Sequence, residues 1–369
     1  MSYVAQRMSR IDASGIRKVF ALAAQMTDPI NLSIGQPDYD VDEVVKEEAI
    51  CQIRQGFNGY TQTWGIPELR QGCSDYYRRR FGVPLETVMV TSGVSGGLFL
   101  AFLATLDPGD EVICADPYFV MYKHLVTLLG GVSVPVDTYP DFHLKASDVE
   151  AAISEKTKIL VVNNPANPTG VCMPKAELQA LANIANQYGL LVISDEIYEP
   201  LVYDDAPTTM AGLCDNAIIL NGFSKMSAMT GWRVGYAAGP EEIIQQMNTL
   251  QQYTFVCAPS FAQKAAVRAL EIDHSHKNVA YRKKRDIIYE GLKEKFNVVK
   301  PGGAFYIFPE APGGDGMAFC KKAIDNNVLV IPGSVFSERN SHFRISFAAP
   351  DETLKRGAEV LCRLADEFA

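Results

Sequence analysis

The chain has 369 residues, of which 47% are hydrophobic and 21% charged, proportions typical of a soluble globular protein. Its formal net charge of -9 argues against a nucleic-acid-binding surface, which needs clustered lysine and arginine. The nearly uncharged stretch at residues 92–106 is glycine-rich and shorter than the roughly 20 residues that a membrane-spanning helix needs. The eight cysteines include no C-x-x-C pair, which favours reduced thiols. We therefore predict a cytoplasmic protein with no nucleic-acid partner and no membrane span.

Short apolar runs rich in valine and isoleucine recur along much of the chain. They occupy residues 87–93, 111–117, 132–137, 158–165, 190–196, 217–223 and 233–239. Segments of helical periodicity lie between several of them, for example Ala176 to Tyr188, which is followed by the helix-stopping Gly189. Continuous apolar strands that alternate with helices indicate a mainly parallel sheet covered by helices on both faces, an α/β fold.

The pattern changes after about residue 240. Longer helical segments and two strand-like runs follow, at residues 241–253, 280–296, 302–308, 343–348 and 352–368. This part is expected to form a second, smaller α+β domain onto which the N-terminal residues fold back. We predict a large domain over residues 40–265 and a small domain built from residues 1–39 and 266–369.

Polar and glycine-rich sequences follow five of the apolar runs. In chain order they are SGVSGG, DPYF, NNPANPTG, DEIY and NGFSK. Because ligands bind at the carboxyl ends of parallel strands, these five loops are expected to line one crevice. The first loop opens an apolar helix and offers free backbone N–H groups that suit a phosphate, although glycine-rich turns also occur for packing reasons.

Lys225 follows an apolar run, and Arg233 stands eight residues later. The lysine is either in a surface turn or in the crevice, where burial would depress its pKa and a neutral amine could form a Schiff base with an aldehyde. Asp195 ends another apolar run, either as a helix N-cap or as a desolvated carboxylate that needs a cation. One cofactor, pyridoxal 5′-phosphate, suits all of these groups. Its phosphate suits the SGVSGG loop and Arg233, its aldehyde suits Lys225, and its pyridine nitrogen suits a carboxylate.

Six motifs resemble one known family. They are SIGQPD (33–38), YTQTWGIPELR (60–70), NNPANPTG (163–170), SDEIY (194–198), SKMSAMTGWRVG (224–235) and FRISFA (343–348). The chain resembles the class I, fold-type I, pyridoxal-phosphate-dependent aminotransferases, in the branch of bacterial aspartate and broad-specificity enzymes. The resemblance implies a large domain with a mainly parallel seven-stranded sheet, a smaller α+β domain, and a homodimer with shared active sites. It also implies ping-pong transfer of an amino group from an L-amino acid to a 2-oxo acid.

The resemblance assigns cofactor-binding roles residue by residue. It implies Lys225 as Schiff-base lysine and proton shuttle, and Asp195 as partner of the pyridine nitrogen. The other implied cofactor contacts are Tyr198 and Asn167 at the ring oxygen, Phe119 on the ring face, Val94, Ser95 and Arg233 at the phosphate, and Tyr60 at the phosphate of the neighbouring subunit. Lys225, Asp195 and Tyr198 are the residues expected to be catalytic.

The resemblance also implies how the substrate binds. Arg344 would bind the α-carboxylate, with contacts from Gly35 and Asn167. Side-chain selection is expected to involve residues 12–20 and the region around Phe305.

The chain departs from its relatives at several positions. Many relatives have serine or threonine where this chain has Gly222, and some aspartate-preferring members have lysine where it has Ser95. Because of the difference at Ser95, a preference for aspartate is not predicted. Trp64, in the loop after Tyr60, is expected either to favour apolar or aromatic substrate side chains or to serve in packing.

Two alternatives share the fold. The same motifs occur in pyridoxal-phosphate-dependent C–S β-lyases, and aminotransferase-like domains also serve as non-catalytic ligand sensors in proteins with an added basic DNA-binding domain. The acidic charge of this chain argues against the second. The His274 and His276 pair lies in a polar stretch without nearby cysteines, so no metal site is predicted.

Overall fold

The computed structural model describes residues 3–13, 15–16, 19, 24 and 26–368. Its strands are β1 (Ile30–Asn31), β2 (Val88–Thr91), β3 (Glu111–Asp116), β4 (Val132–Asp137), β5 (Thr157–Asn163), β6 (Leu191–Asp195), β7 (Ala217–Gly222), β8 (Gly235–Ala238), β9 (Tyr306–Ile307), β10 (Val328–Leu329), β11 (Ile331–Pro332) and β12 (Phe343–Ser346). The first seven apolar runs of the sequence form strands β2 to β8, which confirms that prediction.

The main sheet has seven strands in the spatial order β2-β8-β7-β6-β5-β3-β4. Strand β8 runs antiparallel to β2 and β7, whereas the other neighbouring pairs are parallel. Pro135 lies in β4, at the sheet edge, where a strand tolerates a residue without an N–H donor. Strands β2, β3, β5, β6 and β7 point the same way, so the polar loops that follow them meet at one edge.

Helices cover the sheet and build the rest of the molecule. They are α1 (Glu43–Arg54), α2 (Pro67–Phe81), α3 (Gly93–Thr105), α4 (Met121–Leu128), α5 (Ala146–Ala152), α6 (Lys175–Tyr188), α7 (Glu241–Gln252), α8 (Ser260–Ala269), α9 (Ser275–Leu292), α10 (Gly316–Asp325) and α11 (Asp351–Phe368). Helix α6 ends where the sequence predicted, because Gly189 adopts the left-handed conformation with φ 66°. Within the described residues, none of the helices has the length and apolar character needed to cross a bilayer.

The N-terminal residues pack with the C-terminal part of the chain. Strand β1 pairs in parallel with β10, and β11, β12 and β9 form a separate antiparallel sheet. Ile30 and Leu32 share one hydrophobic core with Ile345 and Leu361. This packing agrees with a small domain built from both termini, while the boundaries at residues 39 and 265 stay a prediction.

Candidate active site

A cavity of about 580 Å³ opens where the loops after the parallel strands meet. Predicted site residues line it: Gly35, Val94, Ser95, Phe119, Asn167, Asp195, Tyr198, Lys225, Arg233 and Arg344. They come from distant parts of the sequence, and the direction of the strands brings them to one edge of the sheet. The individual roles of these residues stay predictions.

Lys225 lies in the loop after β7 and points into the cavity. Its Nζ donates a hydrogen bond of 2.8 Å to the carbonyl oxygen of Gly35, and it lies 5.5 Å from the centre of the Tyr198 ring. Burial, followed by the charge of Arg344, lowers the pKa of Lys225 to about 8, while the charge of Asp195 opposes the shift. Its amine is therefore much easier to deprotonate than that of a solvated lysine.

Asp195 ends β6 and is 3% exposed. Tyr122 donates a hydrogen bond of 2.8 Å to its Oδ2, and the amide of Ile197 donates to its Oδ1 at 3.3 Å. Burial raises the pKa of Asp195 to about 6, against the opposing effect of the two hydrogen bonds. Sequence reasoning missed Tyr122. The available signal was its position three residues after Phe119, about one helical turn.

The N-terminus of α3 forms one end of the cavity, where Val94 and Ser95 line the wall beside Arg233. Arg233 donates to the carbonyl oxygens of Thr230 and Ser92, at 2.9 and 3.3 Å. It makes no salt bridge with any carboxylate of the described chain. Free backbone donors, a helix dipole and an arginine without a counter-ion together suit a phosphate.

Close packing of the backbone explains why residue 222 is a glycine. Gly222 of β7 pairs with Gly235 of β8, and a Cβ built at position 222 would lie 2.8 Å from the Cα of Gly235. A Cβ at position 235 would in turn lie 2.7 Å from the carbonyl carbon of Gly93. A serine or threonine at position 222 therefore requires the backbone to move. The cavity wall carries two other hydroxyl residues, Ser224 and Thr230, which sequence reasoning did not assign.

Arg344 lies at the other side of the cavity and is 1% exposed. Its guanidinium donates to Oδ1 of Asn167 at 3.1 Å and to the carbonyl oxygen of Ser33 at 3.0 Å. Its buried Nε has no acceptor in the described part of the chain. The guanidinium carbon lies 4.4 Å from the ring centre of Tyr306 and 4.7 Å from that of Phe336. A buried cation with an unused donor and no acid partner is suited to a carboxylate ligand.

Asn163 connects two of the predicted residues and was also missed. Its side-chain amide donates to the carbonyl oxygen of Asp195 at 3.0 Å, and its Oδ1 accepts from the amide of Asn167 at 2.8 Å. It thereby holds the NNPANPTG loop against the end of β6. The position of Asn163 opposite Asp195 in the sheet register explains this contact.

Tyr60, Trp64 and Phe305 do not line the cavity. Tyr60 is 87% exposed, as expected if it acts in a neighbouring subunit. Trp64 packs against the hydrophobic core that contains Leu98 and Ile218, and the guanidinium carbon of Arg70 lies 6.0 Å from its ring centre. These contacts favour the packing alternative. Phe305 is fully buried, and its neighbour Tyr306 lines the cavity instead.

Only part of the predicted segment 12–20 can be placed. Asp12 and Ile16 line the cavity, whereas residues 14, 17, 18 and 20 lie outside the described residues.

The cavity residues fit pyridoxal phosphate. The lysine amine of lowered pKa suits the aldehyde, and the buried carboxylate of Asp195 suits a protonated pyridine nitrogen. The α3 N-terminus and Arg233 suit the phosphate. Phe119 offers a ring face, and Asn167 and Tyr198 offer donors to a ring oxygen.

Comparison with known proteins agrees with this fit. The chain matches the family model for aminotransferase class I and II over residues 27–361. It is 37% identical to a probable aspartate aminotransferase of Methanocaldococcus jannaschii over 97% of this chain and 98% of that relative. It is 38% identical to an aspartate/prephenate aminotransferase of Thermus thermophilus over 94% of each.

The solved structures give the same result. An aspartate aminotransferase from Thermus thermophilus with maleate superposes with a TM-score of 0.95 at 36% identity, covering 99% of this chain and 100% of that chain. The predicted family and the fold-type I architecture are confirmed, and transamination is supported over the lyase alternative. The chain therefore belongs to the class I and II aminotransferases and is a pyridoxal-phosphate-dependent aminotransferase.

Proposed function

We propose that this cavity carries out ping-pong transfer of an amino group from an L-amino acid to a 2-oxo acid, with Lys225 as the Schiff-base lysine. The observation that carries the proposal is the pairing of two unusual cations in one cavity. Lys225 has a lowered pKa, and Arg344 is buried without an acid partner among the described residues. The first suits an aldehyde and the second suits a carboxylate.

The cofactor, when bound, supplies an aldehyde that bonds to an amine and a ring that draws electrons from the substrate Cα. Arg344 would grip the α-carboxylate and thereby orient the Cα–H bond. Lys225, once displaced from the cofactor, would take the proton from Cα as general base and deliver it as general acid to the carbon that was the cofactor's aldehyde. Its pKa of about 8 leaves a much larger neutral fraction near neutral pH than a solvated lysine has, and this favours a role as general base.

Asp195 and the ring-oxygen donors would set the charge of the bound ring. The carboxylate of Asp195 holds a proton at the pyridine nitrogen, and its depth in the cavity strengthens that pairing. Tyr198 and Asn167 would donate hydrogen bonds to the ring oxygen. Val94, Ser95 and Arg233 would hold the phosphate.

The proposed unit is a homodimer in which Tyr60 reaches the phosphate of the neighbouring subunit. The dimer is supported by exposed aromatic residues near α3, the helix whose N-terminus forms one end of the cavity. Tyr60 and Tyr253 are 87% and 84% exposed, and Gln251 ties their two segments together by donating to the carbonyl oxygen of Thr63 at 2.7 Å. Phe255, 38% exposed, packs against Phe99 of α3. Large exposed aromatic groups favour coverage by a second copy.

A reducing, cytoplasmic location is also proposed. Its support is that all eight cysteines are free thiols. Burial raises the pKa of six of these thiols, which keeps them protonated and unreactive. Disulfides are rare in such compartments.

The test is to mix the cofactor-loaded protein with single L-amino acids in the absence of any 2-oxo acid. Stoichiometric conversion of the cofactor absorbance to its amine form, with recovery of one 2-oxo acid, is the expected result, and it ranks the amino donors. Lys225→Ala should fold but show no turnover. Catalytic release of product without conversion of the cofactor would overturn the proposal, as would wild-type turnover in the alanine variant.

A further inference from the structure

Tyr306 occupies a central place in the cavity wall. It lies on β9 opposite Ser346 of β12, and Arg344 stands two residues earlier on the same face of β12. Diagonal neighbours of this kind lie within reach of an aromatic side chain. The Arg344 guanidinium accordingly packs 4.4 Å from the ring centre, and Tyr306 is only 1% exposed.

The hydroxyl of Tyr306 meets the hydroxyl of Tyr198. The two Oη atoms are 2.9 Å apart, and neither makes another hydrogen bond within the described part of the chain. Burial raises the pKa of both phenols, so both stay protonated. Because each phenol carries one proton, one proton lies between the two oxygens and the other remains free to point elsewhere.

We propose that Tyr306 is a positioning residue, which donates its hydrogen bond to Tyr198 and so directs the Tyr198 proton toward the cofactor's ring oxygen. The inference rests on the proposed function, in which Tyr198 donates to that oxygen. If Tyr198 donated to Tyr306 instead, it would have no proton left for the cofactor. An O–H that accepts one hydrogen bond is also a stronger donor of the next, because linked hydrogen bonds polarise one another.

The surroundings of the pair favour this arrangement. A Cβ built on Gly35 would lie 2.6 Å from the Tyr306 hydroxyl oxygen, so the glycine leaves the space that the hydroxyl needs. The charged groups that face the pair are Arg344, beneath the Tyr306 ring, Lys225, 5.5 Å from the Tyr198 ring centre, and Asp195, whose charge raises the pKa of Tyr198. None of them accepts or donates a hydrogen bond at either phenol oxygen.

The experiment is a pH titration of the visible absorbance of the holoenzyme. A hydrogen bond donated to the cofactor's ring oxygen favours the deprotonated form of that oxygen. Weakening the bond therefore raises the pH at the midpoint of the absorbance change. Tyr306→Phe keeps the ring and should raise the midpoint by about 0.5 pH unit, with a larger rise in Tyr198→Phe. In the Tyr198→Phe background, Tyr306→Phe should cause no further shift, because Tyr306 acts through Tyr198.

Two further variants separate positioning from packing. Tyr203→Phe removes another buried hydroxyl of the same core, one that donates to the carbonyl oxygen of Ala304, and should leave the midpoint unchanged. Gly35→Ala should crowd the Tyr306 hydroxyl and raise the midpoint in the otherwise wild-type protein but not in Tyr306→Phe. Circular dichroism and thermal unfolding check that each variant is folded.

The outcomes distinguish the inference from the proposed function. A shift in Tyr198→Phe without any shift in Tyr306→Phe overturns the role of Tyr306 and leaves that of Tyr198 intact. Additive shifts in the double variant also overturn it, since Tyr306 would then act by another route. No shift in either single variant overturns the proposed role of Tyr198 itself.

Discussion

Arg285 and Arg344 are equally buried, at 1% exposed, but their surroundings differ. Arg285, in α9, donates to Asp204 at 2.6 Å, to Asp286 at 2.7 Å and to the carbonyl oxygen of Pro301 at 2.8 Å. Two carboxylates therefore compensate its charge within the protein. This is what a buried arginine needs when its role is structural.

Arg344 has no such compensation. Its two hydrogen bonds end on neutral oxygens, those of Asn167 and Ser33, and its Nε is unused within the described chain. A buried charge without a counter-ion costs free energy, which a bound carboxylate would offset. The difference teaches that burial alone does not mark the ligand site; the arginine whose charge lacks a carboxylate partner does.

Two consecutive acidic residues differ in the number of protein donors that surround them, although burial raises the pKa of both. Glu196 is surrounded by donors from the protein: the hydroxyls of Tyr77, Ser194 and Thr209 and the amide of Met210. Asp195 accepts from one hydroxyl, that of Tyr122, and from one amide. Asp195, the last residue of β6, lines the cavity, whereas Glu196, directly after the strand, is buried away from it.

The largest expected effect separates these two carboxylates. Asp195→Ala should lower turnover about a thousandfold or more, because nothing then holds a proton at the pyridine nitrogen. Its fold should persist, since few protein groups depend on Asp195. Steady-state kinetics of the purified variant measure the loss, and a decrease below tenfold would contradict the ring-nitrogen role.

Glu196→Ala is the matched variant at the neighbouring position. It leaves the Met210 amide and the Tyr77 hydroxyl without their acceptor in the interior, so the free energy of unfolding should fall by about 2 kcal/mol. Turnover should fall far less than in Asp195→Ala. Denaturant unfolding and kinetics on both variants check this, and equal losses of turnover would remove the distinction between the two carboxylates.

The arginines give the next largest effect. Arg344→Lys should raise the KM for amino acids by about 10- to 100-fold, because an ammonium cannot copy the bidentate fork. Arg285→Lys should leave that KM unchanged and lower the free energy of unfolding by about 1 to 2 kcal/mol, since one ammonium cannot serve every partner. An unchanged KM in Arg344→Lys for every substrate would contradict its role.

The sequence predicts this site well where the chemistry follows directly after a strand. Lys225 and Asp195 each follow or end an apolar run, and a parallel sheet brings such positions together. The region around Phe305 was expected to take part in side-chain selection, but the role of Tyr306 beside Tyr198 was missed, for a physical reason. Its contact with Tyr198 joins residues 108 positions apart, and depends on how β9 packs rather than on any local pattern.

The same limit applies to the reason for Gly222. The motif shows that a hydroxyl is missing there, but only the pairing with Gly235 shows that no Cβ fits. Where two backbones approach closely, the sequence shows a glycine but does not indicate which segment packs against it.

The last expected effect concerns the stability of the apoprotein and its dependence on pH, and does not involve turnover. The pKa of Asp195 is raised by burial to about 6, above the value of about 3.9 in an unfolded chain. Between these values the native protein binds a proton that the unfolded chain does not, so this residue makes stability fall as pH rises from about 4 to about 6. Above about pH 6 the native apoprotein carries a buried charge that no cofactor compensates.

Asp195→Asn removes that charge and keeps the shape of the side chain. The variant apoprotein should therefore be more stable than the wild type by about 3 kcal/mol well above pH 6, with the difference disappearing as pH approaches 4. Denaturant unfolding of both apoproteins at several pH values measures it. A difference that is independent of pH would mean that groups of the protein already compensate the charge of Asp195, and its assignment to an external cationic partner would be lost.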